Sequence, residues 1–180
     1  MSAIEPPAER IWWKQPLDRL EGTWIVIALI WCLIMFFMMP YWHVFGQQNY
    51  SGEAYRVLPQ KYVEKVGEMV DAYTIRHETD RQIPVVAPPP GSDVYLLARL
   101  WEWYPVLELR KGETYRLHIS SADWQHGLSI QPININVQVL PGYDMVMTIT
   151  PTQSGEYALV CNEYCGVLHH AMLGKMYVVD

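Results

Sequence analysis

The chain has 180 residues, of which 51% are hydrophobic, and a formal net charge of -6. This length suits one ordinary domain plus an additional segment, and the acidic balance argues against a nucleic-acid-binding protein, which would carry a basic surface. Only three cysteines are present, so a scaffold built on several disulfides is also excluded.

The N-terminal part contains a candidate membrane span. Residues 1–22 carry three basic side chains, whereas residues 23–45 contain no Asp, Glu, Lys or Arg. A helix needs roughly 20 apolar residues to cross the hydrocarbon layer, and this run is longer than the apolar region of a signal peptide. Because basic residues mark the cytoplasmic side, we predict a single-pass helix with residues 1–22 in the cytoplasm and everything after Phe45 outside. Cys32 and His43 are expected to pack within the span or lie at its interface.

Residues 46–91 divide into a predicted helix and a linker. Apolar side chains recur at three- and four-residue spacing from about Pro59 to His77, which is the pattern of an amphipathic helix. This helix is expected to pack on the domain or on a neighbouring subunit, and the alternative is a helix lying on the membrane surface. Prolines at 84 and 88–90 then precede Gly91, and consecutive prolines impose an extended backbone, so we predict a linker there.

Residues 92–180 show the pattern of a small β domain. At least seven short apolar runs alternate with turn signals, which predicts an antiparallel sandwich or barrel. In one of these runs Tyr115, Leu117 and Ile119 alternate with polar residues that include His118. We therefore expect His118 to be an ordinary solvated histidine on the polar face.

The segment 160–172, V-C-N-E-Y-C-G-V-L-H-H-A-M, concentrates metal-binding side chains. Its two thiols, imidazole and thioether form a soft donor set that suits copper. A mononuclear blue-copper site uses one cysteine, so a second cysteine allows two metals bridged by both thiolates. A disulfide between Cys161 and Cys165 is the alternative for an extracellular chain, but the neighbouring His and Met favour copper. His170 adjoins His169 and breaks the spacing, and His118 competes with His126 as the upstream ligand.

The spacing C-x3-C-x3-H-x2-M, followed by Gly174 and a last strand, resembles the CuA site of cytochrome c oxidase subunit II. The upstream segments 122–128, 134–137, 140–142 and 154–157 are also similar to signatures of that family. The resemblance covers the span and nearly all of residues 92–180, and leaves residues 46–91 uncovered. A single helix resembles the short B-type branch of the haem-copper oxidases. The implied fold for residues 92–180 is a cupredoxin, a Greek-key β-sandwich or barrel.

The resemblance implies a binuclear copper centre, CuA, with two copper ions. Cys161 and Cys165 would bridge both metals, and each metal would take one imidazole. The remaining donors would be a weak axial thioether and a main-chain carbonyl. The full set is His126, Cys161, Glu163 through its carbonyl, Cys165, His169 and Met172. Whether the Glu163 side chain also binds magnesium stays open.

The implied activity is electron transfer. The copper centre would take electrons from a soluble or tethered cytochrome c and pass them to haem in catalytic subunit I, which reduces oxygen to water and translocates protons. The chain would sit in the plasma membrane of a prokaryote with its copper domain on the outer face. By the same resemblance Trp101 is where electrons would arrive, with ordinary sandwich core as the alternative. Glu21 would open a proton path, with a simple flanking acid as the alternative.

Three other functions share parts of this pattern. A membrane-tethered copper-delivery protein would need a site that opens, whereas these donors crowd one short loop. The CuA module of a nitrous oxide reductase-like system would need a large catalytic domain, for which the chain is too short. The quinol-oxidase form of subunit II has the fold without the copper ligands, which are present here.

Overall fold

The computed structural model describes residues 16–45, 52–79, 82–133 and 135–180. The chain separates into two compact units, Met1–Asn49 and Tyr50–Asp180. The second unit is mostly β-sheet.

The first unit is built on one long apolar helix, α1, which spans Arg19–Phe45. The helix has 27 residues, and its most apolar 18-residue stretch has a mean hydropathy of 2.4, so it is long and apolar enough to cross a membrane. At 1.5 Å per residue it extends about 40 Å, against roughly 30 Å of hydrocarbon. Its large apolar side chains are exposed rather than covered by protein, which fits a membrane anchor. The predicted span, residues 23–45, lies wholly within it.

The start of α1 is fixed by a reciprocal pair of hydrogen bonds. The backbone N–H of Glu21 donates to Asp18 Oδ1 at 2.7 Å, and the backbone N–H of Asp18 donates to Glu21 Oε2 at 3.1 Å. This is a capping box, which satisfies two amides that the first turn leaves without helical partners. Glu21 therefore has a structural task at the helix N-terminus.

Within its described residues, the second unit contains one α-helix, a short 3-10 helix and two mixed β-sheets. The helix, α2, spans Pro59–Tyr73. The strands in chain order are β1 Glu53–Arg56, β2 Thr74–His77, β3 Pro84–Val86, β4 Asp93–Arg99, β5 Glu102–Tyr104, β6 Val106–Arg110, β7 Tyr115–Ser121, β8 His126–Gln131, β9 Ile135–Val139, β10 Tyr143–Ile149, β11 Gly155–Cys161 and β12 Leu173–Val179. One sheet has the order β1-β10-β7-β4-β5, and the other has the order β2-β3-β6-β12-β11-β8-β9.

The core lies between the two sheets. Leu117 and Ile119 of β7 are fully buried, as the period-2 pattern predicts, and they share one cluster with Leu107, Leu128 and Leu159 of the opposite sheet. The sandwich is therefore confirmed. The sheets are not purely antiparallel, however, because β4 runs parallel to β7 and β6 runs parallel to both β3 and β12.

Helix α2 packs on its own domain. Tyr62 and Val66 are buried against Leu97 of β4, and the Tyr62 hydroxyl donates to the Leu96 carbonyl at 3.1 Å. Burial of each such side chain contributes about 1.5–3 kcal/mol. The apolar face of the amphipathic helix therefore packs against the β-sheet of the same chain.

The boundaries within 46–91 differ from the sequence prediction. The helix ends at Tyr73 rather than His77, because the β-branched residues Thr74 and Ile75 begin strand β2. The predicted linker begins with β3, whose Pro84 takes the first strand position, where a missing N–H is tolerated. Both strands extend the second sheet, and β1 pairs with β10, so the β unit begins well before Ser92.

His118 was predicted to be solvated, and this is wrong. Only 8% of the residue is exposed. The polar face of β7 is covered by neighbouring side chains, with Tyr95 of β4 against the His118 ring at 4.8 Å between centroids. A period-2 pattern assigns a side chain to a face of the sheet, but it does not reveal that a helix from another part of the chain covers that face.

Candidate metal centre

The candidate centre lies where the loop between β11 and β12 meets the start of β8. Cys161 is the last residue of β11 and His126 is the first residue of β8. The loop is closed at its base, since the backbone N–H of Cys161 donates to the Met172 carbonyl at 3.2 Å. Within the loop a short 3-10 helix, His169–Ala171, turns the chain back towards β12. The fold therefore presents donors from two separate parts of the sequence.

All six predicted donor residues come together. The two sulfurs, Cys161 Sγ and Cys165 Sγ, are 3.8 Å apart, and neither cysteine is in a disulfide. His126 Nδ1 lies 3.9 Å from Cys161 Sγ, and the His126, Cys161 and Cys165 donor atoms all lie within 4.8 Å of one another. The other donors approach the same sulfurs: Cys165 Sγ lies 3.7 Å from His169 Nδ1 and 3.8 Å from Met172 Sδ, and Cys161 Sγ lies 3.3 Å from the Glu163 carbonyl oxygen.

This donor set fits copper. Two thiols, two imidazoles and a thioether are soft to borderline donors, which select copper over hard cations. The two imidazoles approach different sulfurs, so a pair of metals held by both sulfurs could take one imidazole each. The centre is also shielded from water, because His126 and Met172 are fully buried and the two cysteines are 5% and 7% exposed.

The Cys165 thiol is protonated at neutral pH in the metal-free chain. Burial raises its pKa to about 11, and the neighbouring Cys161 side chain adds to the effect. A metal binds the thiolate rather than the thiol, so metal binding at this site must release protons. The apolar surroundings thus keep the thiol unreactive until a metal arrives.

Asp123 orients the His126 ring. His126 Nε2 lies 2.9 Å from Asp123 Oδ1, so a proton on Nε2 is held by the carboxylate and the lone pair of Nδ1 faces the sulfurs. Burial alone would raise the pKa of Asp123, but hydrogen bonds from His126 and from the backbone N–H groups of Trp124 and Leu100 outweigh it and lower the pKa. A ligand imidazole whose second nitrogen donates to a carboxylate is the usual arrangement at metal sites.

Two residues, Trp103 and Gly174, support the centre through a contact that the sequence did not indicate. Trp103 is 1% exposed and its ring lies edge-on to the His126 ring, with 6.3 Å between centroids. A Cβ added to Gly174 would lie 2.8 Å from Trp103 Cβ, so only glycine permits this close approach. No local sequence signal connects Trp103 with Gly174, because they meet only where strands β5 and β12 of the two different sheets pack against each other.

Trp101 lies against the ligand loop, whereas Glu21 belongs to the other unit. A Cβ added to Gly166, which follows Cys165, would lie 3.4 Å from Trp101 Nε1. Trp101 is thus part of the wall of the centre. Of the competing histidines, His170 is exposed, and His118 interacts with Asp144 on the other sheet.

Apolar side chains surround the centre at the protein surface. Tyr164 and Val167 of the ligand loop are each 79% exposed, and Trp124 beside His126 is 63% exposed. Leu168 is partly exposed at 44%. We call these four residues the apolar rim.

Comparison with known proteins agrees with these features. The family profile described as cytochrome c oxidase subunit II, periplasmic domain, matches residues 99–178. Cytochrome c oxidase subunit 2 of Thermus thermophilus is 36% identical over 118 residues, which cover 63% of this chain and 87% of that protein. Heme-copper oxidase subunit 2 of Aeropyrum pernix is 23% identical across 97% of this chain and 87% of that relative.

A solved structure agrees as well. A chain from a heme-copper terminal oxidase dimer superimposes with a TM-score of 0.59 and 26% identity, covering 89% of this chain and all (100%) of that one. The predicted cupredoxin-like class, with one apolar N-terminal helix, is confirmed. With its apolar helix and its soft donor set, the chain belongs to the cytochrome c oxidase subunit II family.

Proposed function

We propose that this chain is the electron-accepting subunit of a terminal oxidase and carries a binuclear CuA centre. The observation that carries the proposal is the pair of thiols 3.8 Å apart with a different imidazole beside each sulfur. Family membership supports a complex with a catalytic haem-copper subunit. The electron route and the number of metals are our inference.

Each ligand has its own task in this proposal. Cys161 and Cys165 would bridge the two metals, and His126 and His169 would each bind one of them. Met172 and the Glu163 carbonyl would complete the coordination as weak axial donors, and binding of magnesium by the Glu163 side chain stays open. The proposal is supported by donor atoms that already surround the two sulfurs at 3.3–3.9 Å.

When bound, a pair of copper ions would supply one-electron oxidation and reduction, and no bond of the chain would break. The protein contributes a donor set that moves little when charge changes. Asp123 holds His126 in orientation, and the backbone bond from Cys161 to Met172 closes the loop. Fixed, water-excluded donors lower the reorganisation that accompanies electron transfer.

The electron donor in this proposal is a cytochrome c. The exposed residues of the apolar rim, which adjoin candidate ligands along the chain, would offer a contact surface. Residues 91–180 contain nine acidic and five basic side chains, and such a balance steers a basic partner, more strongly at low salt. Trp101, in contact with the ligand loop, would be where electrons arrive.

The membrane arrangement follows from the sequence and from α1. We propose that α1 crosses a prokaryotic plasma membrane once, with its N-terminus in the cytoplasm and the β domain on the outer face. There the β domain would pass electrons to haem in the catalytic subunit, which would reduce oxygen and translocate protons. A role for Glu21 in opening a proton path rests on the family resemblance alone, since the structure gives its carboxylate a helix-capping task.

The experiment is electron paramagnetic resonance on the full chain, loaded with copper in detergent. We expect hyperfine splitting from two equivalent copper nuclei and two copper ions per chain by elemental analysis. Cys165→Ser should give splitting from a single nucleus, because one bridge is lost. Cys32→Ser is the matched control, since Cys32 lies in α1, and it should behave as the unaltered chain. Single-nucleus splitting in the unaltered chain would overturn the proposal.

A further inference from the structure

Asn162 lies between two of the candidate copper donors, Cys161 and Glu163, and is held from two sides. Its backbone N–H donates to the Gly127 carbonyl at 3.0 Å. Its side-chain Nδ2 donates to Asn136 Oδ1 at 2.9 Å. Since Gly127 is in β8 and Asn136 is in β9, this residue connects the ligand loop to two strands at once.

The side-chain bond spans a whole strand. Strand β8 lies between β11 and β9 in the sheet, so a side chain that follows β11 must cross β8 to reach Asn136. The crossing occurs above Gly127, where a Cβ would overlap Asn162 Oδ1 and would lie 2.8 Å from Glu163 Cγ. Glycine at this position is what leaves the path open.

This crossing bears directly on the metal centre. Gly127 follows His126, and Asn162 follows Cys161, so the backbone bond from Asn162 to Gly127 joins the segments that carry two donors from different parts of the chain. A Cβ at Gly127 would also lie 3.1 Å from the Glu163 backbone N. The position of the segment that contains Asn162 and Glu163 determines where the Glu163 carbonyl points. The oxygen of this carbonyl lies 3.3 Å from Cys161 Sγ.

We propose that Asn162 and Asn136 form a tether that positions the Glu163 carbonyl against the metal centre. Asn162 is a positioning residue, because it acts through its neighbours and contributes no donor atom of its own. The tether positions a weak axial donor. Its loss should therefore alter the electronic structure of the centre and the rate of copper loss, while the thiolates and imidazoles remain in place. This inference rests on the proposed copper function.

The test is Asn136→Ala in the full chain, which removes the acceptor without touching the ligand loop. We expect two copper ions to be retained, changed copper hyperfine splitting, and faster copper loss to a chelator. The change in rate should be on the order of fivefold, the size expected from one neutral hydrogen bond. Asn136→Asp keeps an acceptor oxygen and should restore the hyperfine splitting. Gln138→Ala is the matched control, because Gln138 is exposed on the same face of β9.

A second measurement does not depend on copper. In the metal-free full chain, Asn136→Ala should speed amide hydrogen exchange over residues 161–165, whereas Gln138→Ala should not. If Asn136→Ala leaves both exchange and hyperfine splitting unchanged, the tether is refuted. If the unaltered chain shows no copper pair, the proposed function fails, and the exchange measurement still decides whether the tether holds the loop.

Discussion

His118 forms the best-defined charged cluster away from the metal centre, and it predicts a pH-dependent stability. Its Nδ1 lies 2.7 Å from Asp144 Oδ2 of β10, and its Nε2 lies 3.3 Å from Asp93 Oδ1 of β4. Tyr95 covers one face of the ring. Because β7 lies between β10 and β4, a protonated His118 would join three adjacent strands.

The direction of the pH effect follows from the pKa of His118. Burial lowers this pKa, but hydrogen bonds and the negative charges of Asp144 and Asp93 outweigh it, so the pKa is raised above 6.5. A group with a raised pKa in the folded state stabilises the fold fully below its unfolded pKa. That contribution is lost as the pH rises through the folded pKa. The β domain should therefore lose stability from about pH 6.5 upward.

The perturbation is His118→Gln, which retains a hydrogen-bond donor for Asp144 but cannot carry charge. A hydrogen bond to a charged group contributes about 1.5–3 kcal/mol to stability. Because Asp144 is only 9% exposed, water can replace little of this hydrogen bond. Because glutamine keeps a donor, only the charge-dependent part of this bond is lost, so we expect the variant to be destabilised by about 1 kcal/mol at pH 6, with a smaller difference at pH 8. Urea unfolding of the full chain in detergent, followed by circular dichroism, measures both values.

The control is His77→Gln, because His77 is an exposed histidine of β2. Arg116 also contacts Asp93, at 3.3 Å, but it stays charged throughout this range and contributes no pH dependence. The comparison ends at pH 8 because the cysteine thiols of the unfolded chain begin to ionise above this pH. An equal loss of stability at both pH values, or equal effects of the two variants, would refute the reasoning.

Three further substitutions test the metal centre. Asp123→Asn removes the charge that orients His126, so copper affinity should fall about 10- to 100-fold, as measured by competition with a chelator. Met172→Leu conserves side-chain volume and should change the free energy of unfolding by less than about 1.5 kcal/mol. Both copper ions should remain bound and the reduction potential should shift. Loss of metal would contradict a weak axial role for Met172. Trp101→Phe should slow reduction by cytochrome c in stopped-flow measurements without changing the copper spectrum, and an unchanged rate would place electron arrival elsewhere.

The ligand loop could be predicted from the sequence because its residues are close together along the chain. Cys161, Cys165, His169 and Met172 lie within twelve positions, so their spacing alone indicated shared chemistry. His126 was found through the family pattern upstream. The contact between Trp103 and Gly174 could not be found this way, since the two residues approach each other only where β5 and β12 pack together.

The fold was predictable where the local pattern and the tertiary environment agree. The apolar run of α1 and the alternation in β7 gave the correct elements. Residues 74–86 were misassigned because two short strands of three or four residues, one beginning with proline, carry a weak period-2 signal. Their pairing with β6 and with each other depends on contacts that the local sequence does not encode.

The placement of the donors explains why so short a loop can form the centre. His126, Cys161 and Met172 lie at or next to strand ends, and Cys161 pairs in register with Leu128 of β8. Sheet hydrogen bonding therefore fixes these three donors, whereas Glu163, Cys165 and His169 depend on the loop conformation. An insertion between Cys161 and Cys165 should consequently separate the two sulfurs while leaving the sandwich intact. An insertion in the turn between β9 and β10 lies outside the ligand segments and should leave the sulfur separation unchanged.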